Sequence, residues 1–394
     1  MVSGATAKSD RLVGIDALRG SVIVLMALDH VRDFWTPTQF APEDLSHSSV
    51  GWFLTRWVTH FCAPVFVFLA GVGAALWRDR EGRGPKQLFG FLLSRGIWLI
   101  IVEFVYVSFW WGFNQPGTIL FAQVIWAIGA SMVVLAFLQF LPRFVVGAVG
   151  ALIVLGHNAL DGLYPGSWTS GSETSEAIAQ VLRGGWHWIP FSRQSGIFVV
   201  YALLPWLGVI ALGYAAAPVA RWSRSDRTRA CLVAGSAMIA AFLVLRGLNL
   251  YGEPNDWAQQ KSLALTACSW LNCSKYPPSL LYILMTLGPA ILMFPLIERL
   301  PSLPAKVLAT FGRVPFFFYM IHLPVIILGA GAFAYARFGK QMLDWSISNP
   351  PPPQYNLGLW MAYVAWAGTV LLLYPTCWAF ARLKRRGWWW MGYF

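Results

Sequence analysis

The chain has 394 residues, of which 57% are hydrophobic and only 12% charged. A soluble domain carries about a quarter charged residues, so this composition excludes an ordinary soluble protein and points to the membrane. The net charge of +12 would fit nucleic acid if the basic residues formed one continuous face, but they fall in short clusters between apolar runs.

Roughly 20 apolar residues cross a bilayer as a helix. Ten stretches qualify, at about 13–36, 52–77, 88–110, 118–140, 143–160, 196–217, 230–248, 278–299, 314–336 and 357–382. Continuous apolar runs, rather than period-two alternation, exclude an outer-membrane barrel. The expected fold is therefore all-α, a polytopic integral membrane helix bundle of about ten transmembrane helices. It forms one domain over 1–394, with a tail at 1–12, the bundle at 13–383 and a second tail at 384–394. The first span is too long for a signal-peptide core and no small-residue cleavage site follows it, so it is expected to be retained.

The basic residues set the expected orientation. Arg78, Arg80, Arg83 and Lys86 fill one connection, Arg221, Arg224, Arg227 and Arg229 another, and Arg382, Lys384, Arg385 and Arg386 follow the last span. Lys8, Arg11, Arg143, Arg299, Lys306 and Arg313 fall on the same side, while the opposite loops hold fewer, among them Arg183, Arg193, Lys261 and Lys275. The basic side is expected to be cytoplasmic, with both termini there. The long connections 34–51, 161–195, 249–277 and 337–356 then face outward, rich in Pro, Gly, Ser, Trp and Asn. "SNPPPPQ" at 348–354 reads as a stiff polyproline spacer. Cys268 and Cys273, in an outer loop, can pair on the oxidising side of a membrane or remain free.

Ionisable groups inside spans are costly, on the order of 3 kcal/mol each on insertion scales, and are functional candidates. Along the first span, Asp16 and Arg19 are three residues apart and can pair on one helix face. Asp29, His30, Arg32 and Asp33 crowd its outer end, where Asp29 can meet Arg32 or Asp33, and His30 can meet Asp33. Arg19 and His30, eleven residues apart, share a face with about 16 Å between them. Snorkelling explains charges at a simple interface, whereas acid, imidazole and acid packed together fit general-base chemistry or proton handling. In the second span, Arg56 lies one turn from His60, and Pro64 is expected to kink the helix. Glu103 in the third span can pair with Arg56 or His60. His322, with Tyr319 three residues before it, is expected to lie deeper toward the cytoplasm. Each of these also has a structural reading, as an interhelical ion pair or hydrogen bond. Nucleotide-type glycine loops, the zinc-protease helix, the nucleophile elbow and a potassium-filter motif are all missing from the sequence.

The blocks "RLVGIDALRGSVIVLMALDHVRDFW", "THFCAPVFVFLAGVGAAL", "KYPPSLLYILMTLG" and "GRVPFFFYMIHLP", in that order, resemble the bacterial relatives of heparan-α-glucosaminide N-acetyltransferase, within the transmembrane acyltransferase superfamily. Asp16, Arg19 and Gly20 match the family's opening block, and Asp29 and His30 the histidine block that closes the first span. Pro64, Phe66 and Gly71 match the second-span block, Lys275, Tyr276, Pro277 and Ser279 the loop before the eighth span, and Tyr319 and His322 the late block. In the lysosomal enzymes the catalytic histidine follows the first core helix, which makes His47 a competitor of His30 and His60.

The resemblance implies an enzyme of the bacterial inner membrane that moves an acyl group from cytoplasmic acetyl-CoA or another acyl-CoA to a sugar or glycan on the far side, with no metal. In this reading His30 is the base, oriented by Asp29 or Asp33, and His60 holds the acceptor or the oxyanion. Arg19 and Asp16, with Tyr319 and His322, serve the donor; Glu103, Arg56, Lys275 and Tyr276 serve the acceptor. Membrane lipid, acyl-CoA, the glycan and a second copy of the chain are the expected partners, and nucleic acid is not. The rival class is a proton-coupled transporter or lipid-linked sugar flippase, since buried acids and histidines also serve proton relays.

Overall fold

The structure is a computed structural model that describes residues 3–80, 83–112, 119–163, 174–192, 195–340 and 355–394. Arg193 and the predicted spacer at 348–354 lie outside the described residues. In chain order the helices are α1 (Ser3–Trp35), α2 (Val50–Thr59), α3 (Cys62–Arg78), α4 (Pro85–Val102), α5 (Ser108–Trp111), α6 (Val124–Leu138), α7 (Arg143–Gly156), α8 (Thr174–Ala179), α9 (Leu203–Ala216), α10 (Arg224–Leu248), α11 (Leu263–Leu271), α12 (Leu280–Ile297), α13 (Ser302–Arg313), α14 (Pro315–Phe338) and α15 (Leu359–Leu383). Every predicted span holds a helix, and the protein is an all-α polytopic membrane protein. Among the described residues, eight helical segments are long and apolar enough to cross a membrane, and α6, with 15 residues, is shorter.

Four departures from the sequence reading have local causes. First, α1 begins at Ser3, so most of the predicted tail is helical. Second, the run at 52–77 breaks at His60–Phe61, between α2 and α3. Pro64 explains the break, because it has no N–H for the His60 carbonyl and its ring crowds that same group. Third, two runs begin as strands, β1 (Ile119–Ala122) and β3 (Gly196–Val199), which pair in parallel; β2 (His187–Pro190) pairs antiparallel to β3. Fourth, a π-helical turn at Glu103–Val107 interrupts the third span between α4 and α5.

The chain forms two compact units, one of residues up to 62, 258–272 and 294–394, the other of 63–257 and 273–293. In the first unit α1 is central. Apolar surface gains little by leaving lipid, so helix association there rests on close contact through small residues. A Cβ on Gly20 would lie 1.8 Å from the Leu308 carbonyl oxygen, and one on Gly312 would lie 1.8 Å from that of Asp16. Only glycine permits that crossing of α1 and α13. Further along, Trp35 Nε1 donates to the Ile326 carbonyl (3.1 Å) and Trp366 Nε1 to that of Val24 (2.8 Å), tying α14 and α15 to α1. α1 stops at Trp35 because Pro37 disfavours helical geometry at Thr36, whose N–H and hydroxyl both return to the Arg32 carbonyl. In the second unit α4 packs on α6 and α7 on α9. There α3 and α9 meet at Gly71 and Gly213, again at distances that a Cβ would forbid.

Candidate functional site

Within the first unit, α1 and α14 run in the same direction. Arg19 Nη1 donates to the Gly312 carbonyl (3.2 Å), just before α14 begins, and Trp35 meets Ile326 at the other end. Between these points His30 Nδ1 lies 2.7 Å from His322 Nε2, with the rings stacked 4.9 Å apart at 24°. His322 is fully buried and His30 partly exposed. On its other side His322 Nδ1 lies 2.6 Å from the Tyr319 carbonyl oxygen and 3.2 Å from that of Phe318. The expectation that His322 sits deeper than His30 is therefore corrected. The α13 corner packs beside Asp16 and Gly20, so α14 starts level with the first turns of the α1 core. Ten residues from Gly312 to His322 then climb about as far as the eleven from Arg19 to His30, roughly 15 to 16 Å.

The carboxylates beside His30 are engaged by guanidinium groups. Asp29 forms an ion pair with Arg32 Nη1 (2.8 Å) and accepts from Arg56 Nη1 on both oxygens (2.7 and 2.8 Å) and from the Thr59 hydroxyl (2.8 Å). Asp33 accepts from Arg32 Nη2 at 2.6 Å. The ring facing His30 is thus His322, and the two carboxylates expected to orient His30 hold Arg32 and Arg56 instead. Thr59 and Glu43 belong to this network but were not singled out in the sequence. Thr59 is neutral, and Glu43 sits in a polar loop where an acid attracts no notice.

Glu43 Oε1 accepts from Arg56 Nε at 2.6 Å and lies 3.7 Å from His60 Nε2. Burial alone would raise the Glu43 carboxyl, but the Arg56 charge and the His60 ring hold it well below the usual carboxylate range. Its backbone carbonyl also accepts from Asn272 Nδ2, at the end of α11 (2.9 Å). His60, 2% exposed, ends α2 at the break that Pro64 imposes. His47 stands apart on the loop surface, its side chain 70% exposed, with Nδ1 2.7 Å from Asp44 Oδ2. Hydrogen bonds from Ser46 and His47 bring the Asp44 carboxyl down to about 2.

Asp16 and Arg19 act first as a clamp. Arg19 Nη1 lies 3.3 Å from Asp16 Oδ1 as well as bonding Gly312, and Arg313 Nε is 3.7 Å from Asp16 Oδ2. The first unit therefore gathers Asp16, Arg19, Asp29, His30, Asp33, Arg56, His60, Tyr319 and His322.

Glu103, Lys275 and Tyr276 belong to the second unit. Glu103 is fully buried, and its Oε2 accepts from the backbone N–H of Trp126 at 2.9 Å. It caps the start of α6 at one of the helix's orphan donors. That bond takes the place of the expected pairing with Arg56 or His60. Tyr276 packs edge-on against Trp186 and Tyr201, and Lys275 Nζ lies 5.1 Å from the Tyr276 ring centre. The loop carrying them is held by residues the sequence reading passed over. His157 Nε2 donates to the Pro278 carbonyl (2.9 Å), Asn158 Oδ1 accepts from Leu280 N (2.8 Å), and Glu253 accepts from Ser274 and Ser279. His157 lies at the end of an apolar run, which is the one signal that could have marked it. Cys268 and Cys273 are both free thiols. Among the described residues no group of three or more His, Cys, Asp and Glu is placed to hold a metal ion.

The family described as "Heparan-alpha-glucosaminide N-acetyltransferase, catalytic" matches residues 11–251, more than half of the chain. The chain belongs to that family. The match takes in α1 from residue 11 onward, the His60 break, Glu103 and His157, and ends before the loop of Lys275 and the helix of His322. A comparison with curated proteins finds no match. As a member of a transmembrane acetyltransferase family, this protein places its histidine pair in a setting where acyl-transfer chemistry is the natural expectation.

Proposed function

We propose that the protein transfers an acyl group, acetyl in the simplest case, from cytoplasmic acyl-CoA to a hydroxyl or amine of a sugar or glycan on the opposite face of a bacterial inner membrane, with both termini cytoplasmic. The observation that carries this reading is the contact of His30 and His322 inside the bundle of a chain whose family is that of a membrane N-acetyltransferase. His30, the more exposed of the two rings, is the general base. The acceptor oxygen or nitrogen bonds to the thioester carbonyl carbon, its proton passes to His30, and the carbon–sulfur bond breaks. The CoA thiolate then recovers that proton as the acylated glycan leaves. His60 steadies the developing oxyanion from the helix break. Arg19 and the arginines of the basic connections attract the donor's phosphates.

One further observation supports a second assignment of the base within this function. The Asp44–His47 pair has the carboxylate–imidazole geometry that prepares a ring to take a proton, although it lies in water. The test is transfer by the purified full chain in proteoliposomes, using radiolabelled acetyl-CoA and a glucosaminide acceptor. Labelled acetyl-glucosaminide with stoichiometric CoA release is expected. Sugar movement driven by a proton gradient, with neither acylation nor CoA release, would overturn the reading in favour of a carrier.

A further inference from the structure

With both rings neutral, their contacts fix where their protons sit. A carbonyl oxygen only accepts, so His322 Nδ1, at 2.6 Å from the Tyr319 carbonyl, carries a hydrogen. A neutral His322 then has no hydrogen on Nε2, and that nitrogen accepts. The atom opposite it at 2.7 Å is His30 Nδ1, which must donate. A neutral His30 whose hydrogen is on Nδ1 has its lone pair on Nε2. The chain of bonds thus runs one way, from His30 to His322 to the backbone of α14.

We propose that His322 is a positioning residue that locks His30 in its Nδ1–H tautomer, so that Nε2 of His30 is the atom that takes the acceptor's proton. The inference rests on the transfer reading for its catalytic meaning, while the proton arrangement requires only that both rings be neutral. His322 does for His30 what a buried carboxylate does in a hydrolase triad, without adding a charge to the bundle. The stacking of His322 on Phe318 (5.4 Å, 19°) and the grip of the Tyr319 carbonyl keep the ring from turning. When His30 takes up a proton, its Nδ1–H keeps the same acceptor, so the positive ring forms without rearrangement. The lock also selects the atom that would carry an acyl group if transfer passes through the enzyme, namely Nε2 of His30.

Nitrogen NMR of the full chain in nanodiscs, with ring-labelled histidine and signals assigned through single His→Gln variants, tests the lock directly. Both His30 and His322 should be neutral with hydrogen on Nδ1. His322→Leu should release His30 toward the Nε2–H form, while His322→Gln, whose amide oxygen can accept near the same point, should hold it. In the transfer assay His322→Leu should lower kcat by about 10- to 100-fold, less than or equal to the smallest contribution, about 100-fold, that general-base catalysis typically makes, leave KM for acyl-CoA unchanged and be partly rescued in His322→Gln. A wild-type His30 with hydrogen on Nε2, or a doubly protonated His322, would overturn the proposal even if the leucine variant failed to fold. The expected spectrum without any transfer would support the lock and count against the transferase reading; transfer with the opposite tautomer would do the reverse.

Discussion

The two units use their buried polar groups differently. In the second unit such groups mostly serve the backbone. Glu103 accepts from Trp126 N in the first turn of α6, His157 donates to the Pro278 carbonyl, Asn158 accepts from Leu280 N, and Arg183 donates to the His157 carbonyl. Each completes a hydrogen bond that a strand-to-helix or loop-to-helix junction leaves open. In the first unit some side chains also serve the backbone, but the buried ionisable groups address one another as well, His30 with His322 and Asp29 with Arg32, Arg56 and Thr59. Backbone caps hold a fold in one state. Pairs of ionisable side chains can exchange protons and partners, which is what chemistry needs, and this contrast supports the proposal that the base lies in the first unit.

The largest effect should come from breaking the charge network. Asp29 and Arg56 are 8% and 9% exposed, so Arg56→Leu leaves two carboxylates short of a partner and should cost about 3 to 5 kcal/mol. The double variant Asp29→Leu/Arg56→Leu should cost less than the sum of its parts, as chemical denaturation in detergent would measure. In the second unit Glu103→Ala removes a backbone cap and should cost about 1 to 3 kcal/mol. Glu103→Gln keeps one acceptor and should cost less, with transfer activity retained in proportion to folded protein. A loss of activity in folded Glu103→Gln would instead make this group part of the chemistry and blur the comparison.

A smaller effect concerns acid. The Glu43 carboxyl titrates lower in the folded chain than its ordinary value of 4.5. Its stabilising contribution is therefore fully present above pH 4.5 and is lost as the pH falls through the depressed folded value. Protease cleavage in residues 36–49 should stay slow at pH 5 and rise only in stronger acid. In Glu43→Gln it should be fast throughout and insensitive to pH.

Much of the fold was legible. Apolar runs of 18 residues or more marked the spans, and Pro64 marked the break in the second. The strands were not legible, because "ILFA" and "GIFV" are apolar segments that hydropathy cannot tell from the helices following them. In the site, the spacing of Asp29 and Arg32 announced their pairing. The meeting of His30 and His322 was hidden, because it depends on the height at which α14 starts. That height is set by the Gly20–Gly312 crossing, a contact between residues 292 apart in sequence that no local pattern encodes. Glu103 misled for a related reason, since its partner is the backbone N–H of Trp126, on a helix 23 residues away.

The central claim is that His30 takes the proton in acyl transfer. Acetyl-CoA turnover by the folded His30→Ala protein, measured beside His47→Ala, tests it most directly. A fall of about 100-fold or more for His30→Ala, with His47→Ala near the parent rate, is the result this account predicts. Parent-like turnover in His30→Ala would contradict it, and a collapse confined to His47→Ala would move the base to the loop.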